Sequence, residues 1–297
     1  MIKAEKVSKD YSGRSILNEV SLTVEQGEIY GLVGKNGAGQ TTLLNIMSGL
    51  IEPTSGRCII NQEEIHKKTI ESGVIGYLPD LPSFYDYLTV DEYINFLRSA
   101  GKAQGSIISQ VNEIISVDRE KMIKKLSRGN RQKLGILSAL IGNPQVVLLD
   151  EHTSALDPIG RKETMEIIRL LKDHGISVVL STHILTDLET VCDKVGFLHK
   201  GTIKREIDLH TENADGFGFE ILLEKKPDQE KLKEVLKGYD YSCENSLIWI
   251  SSSRNNGKLV TAKEVLCLLL SQSFEIKQFS KKSKYNLETV MEELSQS

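Results

Sequence analysis

A glycine-rich segment, GKNGAGQTT at residues 34–42, has the residue types that hold a phosphate group. It follows the continuous apolar run Ile29–Val33 and precedes a helical pattern over 41–50. Glycines let successive backbone N–H groups turn inward around an anion, and the N-terminus of the next helix adds its positive dipole end. The hydroxyl of Thr41 is placed to reach Mg²⁺, with Thr42 beside it. The turns are expected from three glycines, Gly34, Gly37 and Gly39.

One position of this phosphate loop (residues 34–42) departs from the pattern G-x-x-x-x-G-K-[ST], because Gln40 stands where lysine is usual. A lysine would bring a full positive charge to the β- and γ-phosphates, whereas the glutamine amide is neutral and shorter. Hydrogen bonds to charged groups are worth about 1.5–3 kcal/mol, so binding or turnover is expected to weaken roughly ten- to a hundredfold. We expect nucleotide still to bind and hydrolysis to suffer more. A naturally slow ATPase and a substitution engineered to impair hydrolysis both explain Gln40.

Two acidic residues, Asp150 and Glu151, directly follow the apolar run Val146–Leu149. A buried strand can hold a carboxylate rigidly at its C-terminal end, where α/β proteins bind ligands. Asp150 is then suited to hold Mg²⁺ through water, and Glu151 to polarise an attacking water. The alternative is that the two acids only cap the next helix.

The composition excludes several classes of protein. The 297 residues carry 37 Lys and Arg against 41 Asp and Glu, a net charge of −4 that argues against a nucleic-acid partner. Apolar stretches such as Val265–Leu270 are far shorter than the roughly 18 residues needed to cross a bilayer. The start of the chain has no apolar secretory core, so we expect a cytoplasmic protein. The four cysteines have no C-x-x-C spacing, which argues against a zinc site or a redox dithiol.

Periodicity predicts the elements that position these residues. Strand patterns at the N-terminus, helical spacing over about 87–141 and then alternating strands and helices indicate a mostly parallel sheet covered on both faces. Thr89 is expected to cap the first helix of the insert. The polar segment 210–218 predicts a domain boundary, and the residues after it have the order of a small split βαβ unit.

The phosphate loop and the two acids together resemble the nucleotide-binding subunit of an ABC transporter, and the resemblance covers about Met1 to Ile207. Residues 126–130 (LSRGN) resemble the signature LSGGQ, which in the family begins a helix and contacts the γ-phosphate bound by the opposite subunit. Ser127 and Gly129 occupy the two contact positions. Arg128 and Asn130 depart from the pattern. Asn130 is still expected to contact the nucleotide of the opposite subunit.

Further segments match the family in the expected order. Residues 154–157 resemble the D-loop, which passes between the two sites of a dimer and ends here at Asp157. His183 resembles the switch histidine that touches the γ-phosphate, and Tyr11 the aromatic residue that stacks on adenine. Asp80 stands where the family has a glutamine that reaches Mg²⁺ and the water, and His152 replaces a usual proline. The resemblance assigns nucleotide contacts to the whole loop: Gly34, Asn36, Gly37, Ala38, Gly39, Gln40, Thr41 and Thr42.

The resemblance implies an α/β fold, with an ABC ATPase core at 1–209 that includes an N-terminal antiparallel β subdomain and a helical insert, followed by a small α+β domain at 218–297. It implies ATP and Mg²⁺ as cofactors, Glu151 and His183 as catalytic residues, and Thr41, Asp80 and Asp150 at the metal. It also implies a homodimer or heterodimer of ATPase subunits that docks on a separate membrane permease at the inner face of the membrane. Phe84, Tyr85 and Tyr87 are candidate docking contacts, with a small satellite core as the alternative.

The single site and the small C-terminal domain resemble ATPases of bacterial exporters, and residues 285–290 resemble a segment common in drug- and bacteriocin-type members. A soluble, nucleotide-gated ABC regulatory module is the second interpretation, which Gln40 slightly favours. A kinase with a phosphate loop is the third, and it would need a substrate-phosphate pocket in place of the signature segment.

Overall fold

The first two strands form an antiparallel hairpin in the computed structural model, which describes residues 1–66, 69, 72–99, 107–209, 217–254, 260–283 and 287–296. β1 (Ile2–Tyr11) pairs with β2 (Arg14–Val24) on one side and with β4 (Ser55–Ile60) on the other. The short β5 (Glu63–Glu64) completes the sheet in the order β2-β1-β4-β5. The predicted N-terminal antiparallel subdomain is confirmed.

A second sheet of six strands has the order β10-β9-β3-β8-β7-β6, and its strands from β9 to β6 run parallel. Every residue of β3, β7 and β8 is buried, as continuous apolar runs predict. The carboxyl ends of these parallel strands therefore meet at one edge of the sheet. The strands are β3 (Ile29–Val33), β6 (Ile75–Leu78), β7 (Val146–Asp150), β8 (Ser177–Ser181), β9 (Lys194–His199) and β10 (Thr202–Asp208).

Six helices accompany these two sheets in the described part of residues 1–207: α1 (Gln40–Met47), α2 (Val90–Ser99), α3 (Ile107–Ile114), α4 (Arg128–Leu140), α5 (Pro158–Asp173) and α6 (Leu185–Val191). The predicted extension of α1 to residue 50 is wrong. Gly49 adopts φ +78°, and a Cβ there would lie 3.0 Å from the carbonyl oxygen of His66. A left-handed glycine of this kind ends a helix.

The predicted helical insert contains α2, α3, a 3-10 turn (Ile123–Lys125) and α4, while residues 100–106 lie outside the described residues. Thr89 caps α2 as predicted. Its Oγ1 accepts a hydrogen bond of 3.2 Å from the backbone N–H of Glu92, whose carboxylate accepts one of 2.8 Å from the N–H of Thr89. This reciprocal pair is a capping box.

The chain divides into two compact units, Met1–Ile207 and Asp208–Ser297. Much of the predicted boundary, residues 210–216, lies outside the described residues, and so do Tyr285 and Asn286 of the predicted terminal segment. The second unit has an antiparallel sheet in the order β12-β13-β11-β14, so the predicted split βαβ arrangement is confirmed. Its elements are β11 (Phe217–Leu223), α7 (Gln229–Val235), β12 (Tyr239–Glu244), β13 (Leu247–Arg254), α8 (Ala262–Ser271), β14 (Ile276–Ser283) and α9 (Leu287–Gln296).

Within the ranges that the structure describes, no helix combines the length and the apolar character needed to span a membrane.

Candidate nucleotide site

The phosphate loop joins the carboxyl end of β3 to the start of α1. Gly37 and Gly39 supply its turns as predicted, since they adopt φ +82° and +112°. A Cβ at Gly39 would also lie 2.7 Å from Cδ2 of Leu17, whereas a Cβ at Gly37 would meet no atom within 4 Å. Glycine is therefore required at position 39 by both the backbone conformation and the lack of space, and at position 37 by the backbone conformation alone.

The expectation that Gly34 supplies a turn is wrong, because its φ is not positive. The residue is needed for close packing instead. A Cβ at Gly34 would lie 2.6 Å from the carbonyl oxygen of Leu198 and 2.9 Å from Cβ of Ala38. Such distances exclude a side chain there unless the backbone moves.

Gln40 is the first residue of α1, and its side chain turns back toward the start of the loop. Its Nε2 donates a hydrogen bond of 2.9 Å to the carbonyl oxygen of Gly34. Asn36 and Thr41 are exposed beside it, so their side chains are accessible to a ligand, while Thr42 is half-buried. The loop is thus braced by a neutral amide at the position where lysine is usual.

Asp150, the last residue of β7, is buried, and only one of its two carboxylate oxygens accepts a hydrogen bond from a described residue. Its Oδ1 accepts a hydrogen bond of 2.5 Å from Oγ of Ser181, and its Oδ2 is buried with no hydrogen-bond partner among the described residues. Buried polar atoms are nearly always satisfied, so a carboxylate oxygen in this state fits a cation or a water held by one.

The described residues contain no group of three or more His, Cys, Asp or Glu side chains that could enclose a metal. Mg²⁺ needs no such group, because it is usually bound by one or two carboxylates together with substrate phosphates and waters. Asp150, at the same edge of the sheet as the phosphate loop, therefore has the donor chemistry for Mg²⁺ in the presence of a nucleotide.

Glu151 follows Asp150 in a left-handed conformation, with φ +47°. Its backbone N–H donates to the carbonyl oxygen (3.1 Å) and to Oγ (3.2 Å) of Ser181. Its Oε2 lies 2.8 Å from Nδ1 of His183. Burial raises the pKa of the Glu151 carboxyl, the contact with His183 opposes that shift, and the charges of Asp150 and Asp80 add to it.

Asp80 lies just beyond the carboxyl end of β6, the neighbour of β7. Its Oδ1 is 3.4 Å from Oγ of Ser154 in the D-loop. Burial, followed by the charges of Asp150 and Asp80, raises the pKa of the Tyr77 hydroxyl, which keeps this phenol neutral. Asp80 thus belongs to the same edge as the two acids of β7.

The signature segment (residues 126–130) starts α4 and packs against the D-loop. Oγ of Ser127 caps the helix by accepting from the N–H of Asn130 at 3.2 Å. A Cβ at Gly129 would lie 3.3 Å from the carbonyl oxygen of Ala155. In the part of the chain that the structure describes, no hydrogen bond joins this segment to the phosphate loop. Asp157 caps α5 by accepting from the N–H of Gly160 at 2.8 Å.

Two other residues singled out in the sequence differ in accessibility. Tyr11, at the end of β1, is exposed, and Nζ of Lys9 lies 5.1 Å from the centre of its ring. His152 is fully buried, and burial lowers the pKa of its imidazole to about 4. His152 is therefore a neutral packing residue, while the ring of Tyr11 is partly exposed to solvent.

Sequence reasoning missed Ser181, which contacts both acids of β7. A signal was available, since Ser181 ends the buried strand β8 at the same edge of the sheet where Asp150 ends β7. A polar residue at the carboxyl end of a buried parallel strand is a candidate for the site by the same argument that selected Asp150.

Comparison with known proteins places residues 17–154 in the family described as ABC transporter. The chain is 34% identical over 230 residues to the lantibiotic transport ATP-binding protein SrtF of Streptococcus pyogenes, covering 76% of this chain and 100% of that protein. It is 39% identical over 214 residues to the bacitracin transport ATP-binding protein BcrA of Bacillus licheniformis, covering 70% of this chain and 69% of the relative.

Solved structures agree on the fold. An ATP-binding subunit of an ABC transporter matches with a TM-score of 0.66 and 27% identity, over 72% of this chain and 92% of that one. A dimeric ATP-binding cassette in a post-hydrolysis state, bound to ADP and Pi, matches with a TM-score of 0.64 and 25% identity, over 70% and 99%. The chain therefore belongs to the ABC transporter family, as one of its ATP-binding subunits.

Proposed function

We propose that this chain binds and hydrolyses ATP to drive a separate membrane permease in a bacterial exporter. The observation that carries the proposal is the meeting of Asp150, Glu151 and His183 at the sheet edge where the phosphate loop begins. Relatives named for lantibiotic and bacitracin transport support an exporter. The groups at this edge of the sheet are suited to bind ATP together with Mg²⁺.

Glu151 is the proposed general base. Its half-buried carboxylate and raised pKa bring its basicity closer to that needed to take a proton from water near neutral pH. His183 orients this carboxylate through the 2.8 Å contact and is exposed enough to touch a γ-phosphate as well. Thr41, Asp80 and Asp150 would hold Mg²⁺, which when bound neutralises charge on the β- and γ-phosphates.

The nucleotide site is proposed to be completed by a second ATPase subunit, either another copy or a related chain. Ser127, Gly129 and Asn130 are hydrogen-bonded or packed within their own helix and D-loop, and not to the phosphate loop of the same chain. Together with Asp157 they are free to meet the nucleotide of the opposite subunit. ATP then holds the dimer closed, and loss of the γ-phosphate contacts lets it open.

Hydrolysis is proposed to be weak, because Gln40 brings no charge to the phosphates. In the structure its amide nitrogen is engaged by the carbonyl of Gly34. The backbone N–H groups of the loop and the N-terminus of α1 are still present to bind ATP. The phosphoryl group that is transferred, however, has no lysine to stabilise its charge.

The proposed docking face for the permease is a group of exposed side chains that follows Asp80. Tyr87 is 70% exposed, Leu81 and Tyr85 are exposed too, and Phe84 instead packs edge-on against Tyr93 with ring centres 5.3 Å apart. We propose that Phe84 belongs to a satellite core and that Tyr87 contacts the permease. Tyr85 is a docking candidate whose ring also packs edge-on against Phe96, with ring centres 5.5 Å apart. A subunit docked in this way would lie at the cytoplasmic face of the membrane.

The test of the ATPase proposal compares ATP binding and hydrolysis of this chain with those of a Gln40→Lys variant. We expect the lysine to raise turnover roughly tenfold or more. A Gln40→Lys, Glu151→Gln double variant serves as the control, since it should bind ATP and lose hydrolysis. Equal rates for the chain and Gln40→Lys would show that the missing charge is unimportant.

Gln40 also favours a second candidate, a nucleotide-gated regulatory module that clamps on ATP with little turnover. The two candidates differ in their partner. A transport ATPase co-purifies with a polytopic membrane protein of about six spans that is encoded beside it, whereas a regulatory module does not.

A further inference from the structure

We propose that Arg128 supplies, from the opposite subunit, the positive charge that Gln40 fails to supply within its own loop. Its guanidinium would contact the phosphates of a nucleotide bound by the phosphate loop of the second subunit. This inference rests on the proposed function, because it requires a site shared between two copies of this chain.

Arg128 lies within the segment proposed to face the opposite nucleotide. It lies between Ser127 and Gly129, the two residues proposed to face the nucleotide of the opposite subunit, and it is exposed at the start of α4. The family pattern has glycine here, which carries no side chain at all. This chain therefore adds one cation to the segment that meets the phosphates.

The neighbouring cations of α4 have partners within the chain, and the side chain of Arg128 differs from them. Arg131, one turn further along α4, pairs with Asp86 at 2.8 Å and lies over the ring of Phe84. Lys133 pairs with Glu163 at 2.6 Å. The side chain of Arg128, by contrast, makes no hydrogen bond or ion pair with any of the residues described by the structure, so its guanidinium donors remain available.

Arg128 would restore the charge of the shared site. Replacing lysine with Gln40 removes one positive charge from the loop, and replacing glycine with Arg128 returns one from the opposite side. A guanidinium presents planar, paired donors that suit phosphate oxygens and stays protonated at any physiological pH. The charge would then arrive only when two subunits close, which ties tight nucleotide binding to dimerisation.

The experiment measures dimerisation of the full chain by analytical ultracentrifugation with Mg²⁺ and a non-hydrolysable ATP analogue. The variants are Arg128→Gln, Arg128→Lys and, as a matched exposed cation, Lys124→Gln, each made with Gln40 and again with Gln40→Lys. We expect Arg128→Gln to weaken the dimer about tenfold or more when residue 40 is glutamine. Arg128→Lys should restore most of the affinity, and Lys124→Gln should change it by no more than about twofold.

The Gln40→Lys background tests compensation. There the loss caused by Arg128→Gln should shrink to about threefold or less, because the lysine already supplies the charge. Equal losses in the two backgrounds, or a dimer as tight with Arg128→Gln as without it, would overturn the inference.

Nucleotide binding to the dilute monomer separates the two subunits' contributions. Arg128→Gln should leave the nucleotide affinity of the monomer unchanged. A lower affinity would place Arg128 at the phosphate loop of its own chain and contradict a contact from the opposite subunit. If neither the original chain nor Gln40→Lys dimerises while saturated with the analogue, the shared site of the proposed function fails, and this inference fails with it.

Discussion

The Nδ1 atom of His183 lies 2.8 Å from Oε2 of Glu151, although 32 residues separate them in the chain. Glu151 directly follows β7, and His183 comes two residues after its parallel neighbour β8. Burial raises the pKa of the carboxyl and the imidazole opposes that shift. The contact therefore helps to keep a half-buried base ionised and oriented.

Removing this imidazole should move the pH profile of hydrolysis. The base must be ionised, so the rate falls as pH drops through the pKa of Glu151, which already lies above its ordinary value. Without His183 the ionised form loses a stabilising partner and the pKa rises further. We expect His183→Ala to lower kcat and to shift the acid limb of kcat/KM to higher pH, measured in the Gln40→Lys background.

The matched control for that profile is His174→Ala, which removes an exposed imidazole that is bonded to the carbonyl of Leu170. It should leave the acid limb in place. An acid limb that does not move in His183→Ala would show that Glu151 is not the group that titrates.

Ser181→Ala should destabilise the protein. The change removes the donor to Asp150 and one of two acceptors for the N–H of Glu151, in a buried place. We expect a loss of about 1–3 kcal/mol in the free energy of unfolding, measured by urea denaturation followed at a probe in the first unit. Ser48→Ala is the control, because this buried hydroxyl donates to the carbonyl of Asn45 within the same turn of the chain. A loss no larger than in this control would contradict the structural role of Ser181.

Two alanine substitutions in the phosphate loop should differ in cost. In Gly37→Ala the new Cβ has open space, so only the left-handed backbone lowers the free energy of unfolding, by about 1–2 kcal/mol. In Gly39→Ala the same backbone strain is joined by a clash of the Cβ with Leu17, so the loss of stability and of ATP affinity should be larger. Thermal unfolding and equilibrium nucleotide binding of both variants check the order, and equal effects would contradict the packing at Gly39.

The exposed aromatic residues should affect docking and not folding. Tyr87→Ser is expected to leave the free energy of unfolding within about 0.5 kcal/mol and to reduce co-purification with the membrane partner. Phe84→Ala, its control, should cost at least about 1 kcal/mol because the ring packs on Tyr93. Unchanged co-purification with Tyr87→Ser would remove this residue from the docking face.

Sequence patterns were informative where a single element decides the outcome. Continuous apolar runs predicted the buried parallel strands, and the position of Thr89 just before a helical pattern predicted a helix cap, because both depend on local chemistry. The patterns could not show that Gly34 is required by the carbonyl of Leu198, since that contact joins positions 164 residues apart. Ser181 was missed although it ends a buried strand at this edge, because its two partners lie on and just after the neighbouring strand.

The most direct test of this account is the mass of the particle that forms when the full chain is saturated with Mg²⁺ and ATP. Because the phosphate loop and the signature segment are proposed to act on one nucleotide from two subunits, we predict a shift from monomer to dimer that depends on nucleotide. Light scattering coupled to size-exclusion chromatography, with the Glu151→Gln variant used to prevent hydrolysis, measures it. A chain that stays strictly monomeric while fully loaded with ATP would contradict the shared site for this protein acting alone.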